Sequence, residues 1–257
     1  MIRRLAILPV AIVATLSLVL AACSSTPAAP ALTDPKDIVT KGVTSLTDVK
    51  TFEITGSFTG SVAAAQLGSF DLSTIKLDAA VDSANKTAKL TLDAPTLLGT
   101  KIDALMVGGE AYYKVAGMLA ATLHATADKY TKVDVPTASG DPAAAATDIT
   151  KVVSQLQDAL AKLPSPLTKA ADDKCGDVDC YHVTTTVTAD QIKALDDSST
   201  LDGPVTIDLF TRKSDYRPGR LTVSIASPTM GTFGMTLNVT YDVAVNVSAP
   251  SADQIAP

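Results

Sequence analysis

Residues 231–247 read GTFGMTLNVTYDVAVNV, a stretch in which every second side chain is apolar. The apolar positions are Phe233, Met235, Leu237, Val239, Tyr241, Val243, Val245 and Val247. A period of two is typical of a β-strand that buries one face. These eight positions predict one strand that is much longer than the usual length of about 5–6 residues. A strand of this kind needs hydrogen-bonded neighbours, so the rest of the chain is expected to build a sheet around it.

The same alternation recurs upstream and predicts the neighbouring strands. Between residues 52 and 58 every second residue is apolar or glycine, and Gly108-Gly109 between two further runs is a hairpin signal. The predicted strands lie near residues 50–58, 75–82, 90–92, 100–107, 112–115, 130–135, 181–187, 205–209, 221–225 and 233–247. Since short turns join them, the sheet is expected to be antiparallel, and a sheet of about ten strands must curl or close.

Three segments carry helix signals instead. Asp34-Pro35 and Asp141-Pro142 each place a capping acid before a proline, as at a helix N-terminus. Thr188 and Gln191 have the spacing of a capping box. After the second signal, apolar residues recur at intervals of three and four: Ile149, Val152, Val153, Leu156, Leu160 and Leu163. This amphipathic helix is expected to pack on the sheet, and a lid over a cavity is the alternative.

These patterns predict a mainly β fold with a few helices, in the α+β class. Ala, Val, Leu and Thr dominate the strands, and such small or β-branched side chains suit a smooth apolar face. Because each strand is apolar on one face only, we expect a strongly curved antiparallel sheet, or half-barrel, with helices covering its concave apolar face.

The N-terminus combines a positive head, an apolar middle and small residues before a cysteine. Arg3 and Arg4 precede an apolar run over residues 5–20, which ends in Leu20-Ala21-Ala22-Cys23. This order is typical of a secretory signal, and its last four residues resemble the lipobox of bacterial lipoproteins. The resemblance implies that Cys23 is acylated and becomes the N-terminus, and two or more acyl chains give stable membrane anchoring. A plain secretory signal with a stray cysteine and a short membrane anchor are the alternatives.

The sequence divides into four parts. Residues 1–22 are expected to be a signal peptide, and residues 23–33 a lipidated N-terminus with a Pro/Ala/Ser tether. Ten tether residues can span at most about 35 Å. Residues 34–250 are expected to form a single lipid-binding domain, and residues 251–257 a short tail. We expect a monomer, lipid-anchored on the extracytoplasmic face of the cell membrane.

Composition argues against two classes of partner. The formal net charge is −6, and no run of Lys and Arg occurs, so a nucleic acid is not expected. Aromatic residues make up 4% of the chain and Trp is absent, which disfavours a sugar-binding cleft built from exposed rings. An acidic surface is not attracted to anionic headgroups, so attachment to the membrane would depend on the acyl chains.

Cysteine and histidine offer little for catalysis. Cys175 and Cys180 are an even pair in an exported protein, which predicts a disulfide, and a metal site with His182 is the alternative. His124 and His182 are the only histidines, and both are expected to be structural. No motif of metalloproteases, α/β-hydrolases, dinucleotide-binding proteins or P-loop proteins occurs. We therefore expect no enzyme, and no catalytic residue, metal or cofactor.

Two segments carry a resemblance to a known family. The hairpin VGGEAYYKV at residues 107–115 and CYHVTTTVTADQIKAL at residues 180–195 resemble the mycobacterial LppX/LprA/LprF/LprG lipoproteins. The layout of lipobox, tether and early helix agrees with that family. Its members are similar to the LolA/LolB carriers, so the resemblance implies a curved sheet and inner helices around an apolar cavity. It also implies the binding and transfer of acylated lipids or glycolipids across the cell envelope.

The apolar strand faces and the amphipathic helix together predict a ligand-binding wall. Its expected residues are Ile54, Phe58, Leu77, Val153, Leu156, Leu160, Ile207, Val223, Leu237 and Val239. We expect an envelope lipoprotein that binds lipid or glycolipid in an apolar cavity and moves or presents it. The alternative is a structural or signalling surface lipoprotein with a solid core and a protein partner.

Overall fold

The computed structural model describes residues 31–64, 68–123, 125–126, 128–133, 149–162, 165–195, 199–229 and 231–256. One compact unit runs from Thr33 to Pro257. The predicted signal peptide, the lipidation site Cys23, most of the tether and His124 lie outside the described residues.

One antiparallel sheet dominates the described residues. Its thirteen strands are β1 Thr51–Ala64, β2 Gly68–Asp71, β3 Lys76–Asp82, β4 Thr87–Ala94, β5 Thr100–Val107, β6 Glu110–Ala116, β7 Thr131–Val133, β8 Thr168–Lys169, β9 Asp173–Cys175, β10 Val178–Val187, β11 Val205–Arg212, β12 Pro218–Ser227 and β13 Gly231–Tyr241. The strand order is β7-β6-β5-β4-β3-β1-β13-β12-β11-β10-β8, with β2 paired to β1 and β9 to β10. The two longest neighbours, β1 and β13, therefore lie at the centre.

Four short or medium helices accompany the sheet in the described part of the chain. They are α1 Pro35–Thr44, α2 Met118–Thr122, α3 Ile149–Ala161 and α4 Ala189–Leu195, with 3-10 turns at Ser45–Asp48 and Ala252–Gln254. Asp34 caps α1 as expected, since its carboxylate accepts the backbone N–H of Lys36 at 2.7 Å. Of the helices described, none is both long and apolar enough to cross a membrane.

The predicted fold class is confirmed. The protein is mainly β with a few helices, and its large antiparallel sheet remains open as a curved half-barrel. Strand pairing explains the one-sided pattern. Ile54 lies opposite Val239 on β13 and Ala79 on β3, and cross-strand partners point to the same side of a sheet. Apolar residues therefore predominate on one side of the sheet and polar residues on the other.

The long final strand is shorter than predicted. β13 ends at Tyr241, and Asp242 adopts a left-handed backbone with φ of 58°. The chain then leaves the ladder, and residues 243–247 lie against the polar side of the sheet beside Glu53 and Asp78. Alternation persists there because the segment stays extended with every second side chain half-buried. The predicted strand was too long because alternating apolar residues indicate an extended chain with one covered face, whether or not that chain is hydrogen-bonded to a neighbouring strand.

The C-terminal residues continue as a strap that reaches the edge of the sheet. The backbone N–H of Tyr130 donates to the carbonyl of Gln254, and the N–H of Ala256 donates to the carbonyl of Tyr130, both at 2.8 Å. Ser251 and Gln254 form a capping box that starts the last 3-10 turn. Residues 251–256, expected to be a tail, thus pair with the residue that precedes β7.

Candidate functional site

The apolar side of the sheet forms a continuous wall across seven neighbouring strands, β11 to β5. Register places the following side chains on this apolar wall: Ile207 and Leu209; Leu221 and Val223; Met235, Leu237 and Val239; Ile54; Leu77 and Ala79; Leu90 and Leu92; Ile102 and Ala104. Each of them is half-buried except Leu90, which is 37% exposed. Apolar side chains at the centre of this sheet are therefore incompletely shielded.

The flanks of the wall are packed, in contrast to its centre. On β10 the side chains of Tyr181, Val183 and Val187 are 4%, 0% and 5% exposed, and on β6 Val115 is 2% exposed. All four lie on the same side of the sheet as the apolar wall. Since complete burial is reached at both flanks, the partial exposure between them is a local property of the wall.

Helix α1 covers the β10 flank. It packs against β10 and β11 and buries Ile38, Val39 and Val43. Gly42 permits the close approach of α1 to β11, because a Cβ atom at this position would lie 3.2 Å from the Oγ1 of Thr211. The hydroxyl of Ser45 donates to the carbonyl of Tyr216 at 3.1 Å and holds the C-terminus of α1 in place. The helix therefore fills one side of the half-barrel only.

A hydrophobic cluster closes the wall where β4 ends and β5 begins. Its buried members are Leu72, Ile75 and Ala94, and the half-buried residues packed against them are Phe58, Val62, Leu92, Leu97 and Phe233. We call this group the end cluster. Phe58, predicted to line a cavity, therefore contributes to a packed core at this end of the wall.

Tyr241 closes the opposite end of the wall. It is 8% exposed, and its hydroxyl donates to the carbonyl of Pro218 at 2.6 Å. The guanidinium carbons of Arg212 and Arg217 lie 5.7 and 5.2 Å from its ring centroid. Burial raises the pKa of Tyr241, so its phenol stays protonated and keeps donating this hydrogen bond. The open part of the wall is thus bounded at both strand ends.

The three predicted site residues on α3 are placed differently from the strand residues. Helix α3 packs against α1 and the following 3-10 turn. Val153 is 5% exposed, Leu156 is 40% exposed, and Leu160 lines a groove of about 520 Å³ with Val39 and Val43 of α1. Seven predicted residues therefore share the side of the wall, and three belong to a helix pair.

The strand register identifies residues of the apolar wall that the sequence-based prediction omitted. Leu90, Leu92 and Ile102 face the same side as Leu77, and Leu209 and Met235 face the same side as Val223. Their period of two was visible in the sequence. Assigning each run to the concave or the outer side requires pairing partners that are distant in the chain, and so these residues could not be chosen from the sequence.

His182 lies on the polar side of the sheet, away from the apolar wall. Its Nε2 is 2.8 Å from Oδ1 of Asp208, and its ring stacks on Phe210 with centroids 4.3 Å apart. Arg220 covers the same Phe210 ring at 3.7 Å, and its guanidinium donates to Asp173 at 2.7 Å. The imidazole is thereby held by a hydrogen-bonding contact and by ring stacking, which agrees with a structural role.

Cys175 and Cys180 form a disulfide with Cα atoms 6.0 Å apart. Both cysteines pack with Phe210 on the polar side, where β9 meets β10. Sulfur atoms bonded to each other are not thiolate ligands, which removes the alternative of a metal site with His182. Among the described residues, no three His, Cys, Asp or Glu side chains gather as a metal site would require.

No protein-family model and no curated protein matches the chain. Among solved structures, it is similar to the lipoprotein LppX of Mycobacterium tuberculosis, at 14% identity over 84% of this chain and 100% of that one, with a TM-score of 0.49. LprF from Mycobacterium bovis is 11% identical over 84% of this chain and 96% of its own, with a TM-score of 0.48. MucB is 11% identical over 87% of this chain and 62% of its own, with a TM-score of 0.38. LppX and LprF are two of the lipoproteins that the sequence resembles.

Proposed function

We propose that this protein is a cell-envelope lipoprotein that holds the acyl chains of a lipid or glycolipid against the apolar wall. In this proposal it moves or presents the bound lipid across the envelope. Cys23 carries the membrane anchor, residues 24–33 are the tether, and residues 34–250 form the single lipid-binding domain. The proposal needs no catalytic residue, metal or cofactor, because alkyl chains are held by apolar contact alone.

The incomplete burial of the apolar wall is the observation that supports this function. The seven strands give the wall a width of about 30 Å and a usable length of about 15 Å. Soluble proteins rarely leave an apolar patch of more than a few hundred Å² uncovered unless it binds something. An alkyl chain laid on such a surface gains about 0.8 kcal/mol for each methylene group removed from water. A wall of Leu, Ile, Val and Ala suits a flexible chain of varied length.

The bounded ends of the wall favour a ligand that lies across the strands. The end cluster blocks the wall beside Phe58, and Tyr241 blocks it at the other strand end. The half-buried residues run from β11 to β5, perpendicular to the strands. We therefore propose that acyl chains cross β13, β1 and β3, with Leu237, Ile54 and Leu77 in contact with them.

The proposal is tested by extracting lipid from the full-length protein purified from a bacterial membrane. Native mass spectrometry should show lipid adducts, and the double variant Leu77→Gln/Leu237→Gln should lose most of them because two amides would be placed on the wall. The matched control is Val178→Gln, which replaces a side chain that is 37% exposed at the start of β10. A folded protein without adducts, or equal adducts in both variants, would refute the carrier function and favour a solid-core surface lipoprotein.

The anchor is tested separately. Cys23→Ala removes the thiol that the acyl group requires, so the variant should remain unprocessed and take up no labelled palmitate. Palmitate labelling of that variant equal to the unaltered chain would contradict the assignment of Cys23, whatever the outcome for the wall.

A further inference from the structure

Three of the most exposed large apolar side chains of the described residues are carried by two segments that a backbone hydrogen bond joins. Leu98, Met118 and Leu123 are 44%, 58% and 48% exposed. Leu98 lies in the turn between β4 and β5, and the backbone N–H of Met118 donates to its carbonyl at 3.3 Å. Leu123 follows α2, about one and a half helical turns beyond Met118. We call these three side chains the apolar rim.

The backbone beneath the apolar rim is tightly packed. Gly117 has a φ of 78°, and a Cβ atom on it would lie 2.5 Å from the carbonyl oxygen of Gly99. Only glycine permits this approach between the β4–β5 turn and the start of α2. Leu97, next to Leu98, packs into the end cluster. The exposed side chains are therefore presented by a fixed base that adjoins one end of the apolar wall.

The two segments that carry the apolar rim contain no Asp, Glu, Lys or Arg. They are residues 94–100 and 115–127, in a chain in which 19% of residues are charged and the formal net charge is −6. These two segments therefore contribute no acidic side chain, which an anionic lipid surface would repel, although Asp71, Asp93 and Asp202 lie at the same end of the sheet. The composition fits a neutral, apolar partner surface rather than a charged one.

The chain that leads from the tether enters the domain at the same end. Strands alternate in direction, so β10 ends and β11 begins at the end where β4 meets β5. At its C-terminal side, α1 contacts Thr211 through Gly42, at the far end of β11. At its N-terminal side, Pro35 shares a groove with Ser165, and the Ser165 hydroxyl bonds to Gln191 of α4, directly after β10. Asp34 therefore lies towards the end of the sheet that bears the apolar rim.

We propose that the apolar rim docks on a phospholipid bilayer and orients the domain with its β4–β5 end towards the membrane. A tether of at most about 35 Å keeps that end within reach of the surface to which Cys23 is anchored. Large apolar side chains carried by segments without charged residues insert into the boundary between headgroups and acyl chains. This inference rests on the anchoring part of the proposed function and is independent of cargo on the wall.

The test uses the absence of Trp, which makes a single introduced indole a specific reporter. Full-length lipidated Leu98→Trp, Met118→Trp and Val178→Trp are each reconstituted in phosphatidylcholine vesicles that contain brominated acyl chains. Val178 begins β10 at the opposite end of the sheet and is 37% exposed, which makes it the matched control. A side chain inserted about 5–10 Å into the interface comes close to the bromines, so we expect about a twofold loss of fluorescence at 98 and 118 and none at 178.

A second set of variants separates docking from anchoring. Two double variants carry the indole at position 123. Leu98→Asp/Leu123→Trp places a carboxylate on the apolar rim and should recover most of the quenched fluorescence, whereas Leu123→Trp/Val178→Asp should be quenched as strongly as Leu123→Trp alone. Equal quenching at positions 98, 118 and 178 overturns the docking inference. Absence of quenching at positions 98 and 118 overturns it as well. Failure of the anchor has a different signature, because the protein would then carry no acyl mass and would not float with the vesicles.

Discussion

Gly56 of β1 leaves the space that Leu77 of β3 occupies, since a Cβ atom on Gly56 would lie 2.8 Å from the Cβ of Leu77. The same atom would lie 3.1 Å from a methyl carbon of Leu237 on β13. Two leucines from neighbouring strands therefore converge above a residue without a side chain. This convergence makes the centre of the apolar wall smooth at the point where the two longest strands meet.

Gly56→Ala should destabilise the protein by about 1–3 kcal/mol, the usual cost of inserting a methyl group into packed surroundings. The measurement is urea unfolding of the variant beside Thr55→Ala, which changes the exposed neighbour on the polar side and should cost little. A glycine in an open strand would behave in the opposite way, because alanine is favoured there by about 0.5–1 kcal/mol. Stabilisation by Gly56→Ala would therefore contradict the packing of Leu77 over this position.

Two valine positions distinguish the packed flank from the open wall. Val183 on β10 is fully buried, whereas Val223 on β12 is half-buried on the wall. Val183→Thr should cost about 1–3 kcal/mol, because the new hydroxyl would be buried without a partner. Val223→Thr should change the stability of the lipid-free protein much less, while it weakens lipid retention.

The comparison uses denaturant unfolding of delipidated protein and adduct intensity by native mass spectrometry. Equal losses of stability at both positions would mean that the wall is as closely packed as its flank. A stability loss confined to Val183→Thr, with fewer adducts in Val223→Thr, supports the proposed lipid face.

Much of the sheet could be predicted from the period of the sequence. Alternation located the strands that carry Ile54, Leu77, Val223 and Leu237, and the hairpin at Gly108-Gly109 lies where expected. The short strands β2, β8 and β9 were missed because two to four residues carry too little pattern to be separated from loops. The residues after Tyr241 were misassigned for the reverse reason, since a surface strap also alternates.

The packing partners of the helices could not be predicted from the sequence. The period of α3 correctly indicated an amphipathic helix with Val153 buried. Periodicity indicates that one face of a helix is covered but not which element covers it, and here α1 and its 3-10 turn are neighbours of α3. Which residues line one site is decided by long-range register and helix docking, and both depend on partners more than a hundred residues apart, such as Ile54 and Val239.

Acid should weaken the turn between β3 and β4 through Asp82. Its carboxylate accepts the backbone N–H of Asn85 at 2.9 Å and the side-chain amide of the same residue at 2.6 Å. These hydrogen bonds favour the charged form and hold the pKa of Asp82 below its usual 3.8. A carboxyl group whose pKa is lowered in the folded state contributes stability above its unfolded pKa, and this contribution disappears as the pH falls through the folded pKa.

Asp82→Ala should therefore cost about 1 kcal/mol at neutral pH, and the difference from the unaltered protein should shrink below the ordinary carboxyl pKa. Urea midpoints measured at neutral pH and at successively lower pH provide the check. Asp78→Ala, at an exposed position on the same strand, is the control and should cost less. A difference that stays constant down to strongly acidic pH would show that the ionised carboxylate is not what stabilises this turn.

The C-terminal strap should hold the edge of the sheet. Removal of residues 251–257 deletes the two backbone hydrogen bonds that Tyr130 makes with Gln254 and Ala256. It also deletes the bond from the Lys129 ammonium group to the carbonyl of Asp253. Hydrogen exchange at the Tyr130 amide should become roughly tenfold faster or more, because local opening would no longer require the strap to detach. Amides in the centre of β13 should be unaffected.

Gln254→Ala offers a milder version of the same change. It removes the capping box with Ser251, whose backbone N–H donates to the Gln254 side chain at 3.0 Å, but it keeps the carbonyl that Tyr130 uses. Protection of the Tyr130 amide should fall between the unaltered and truncated proteins. Because β7 is a three-residue strand at the edge of the sheet, it depends on the strap more than the central strands do. Unchanged exchange at Tyr130 after truncation would mean that pairing between β6 and β7 holds this edge without the strap.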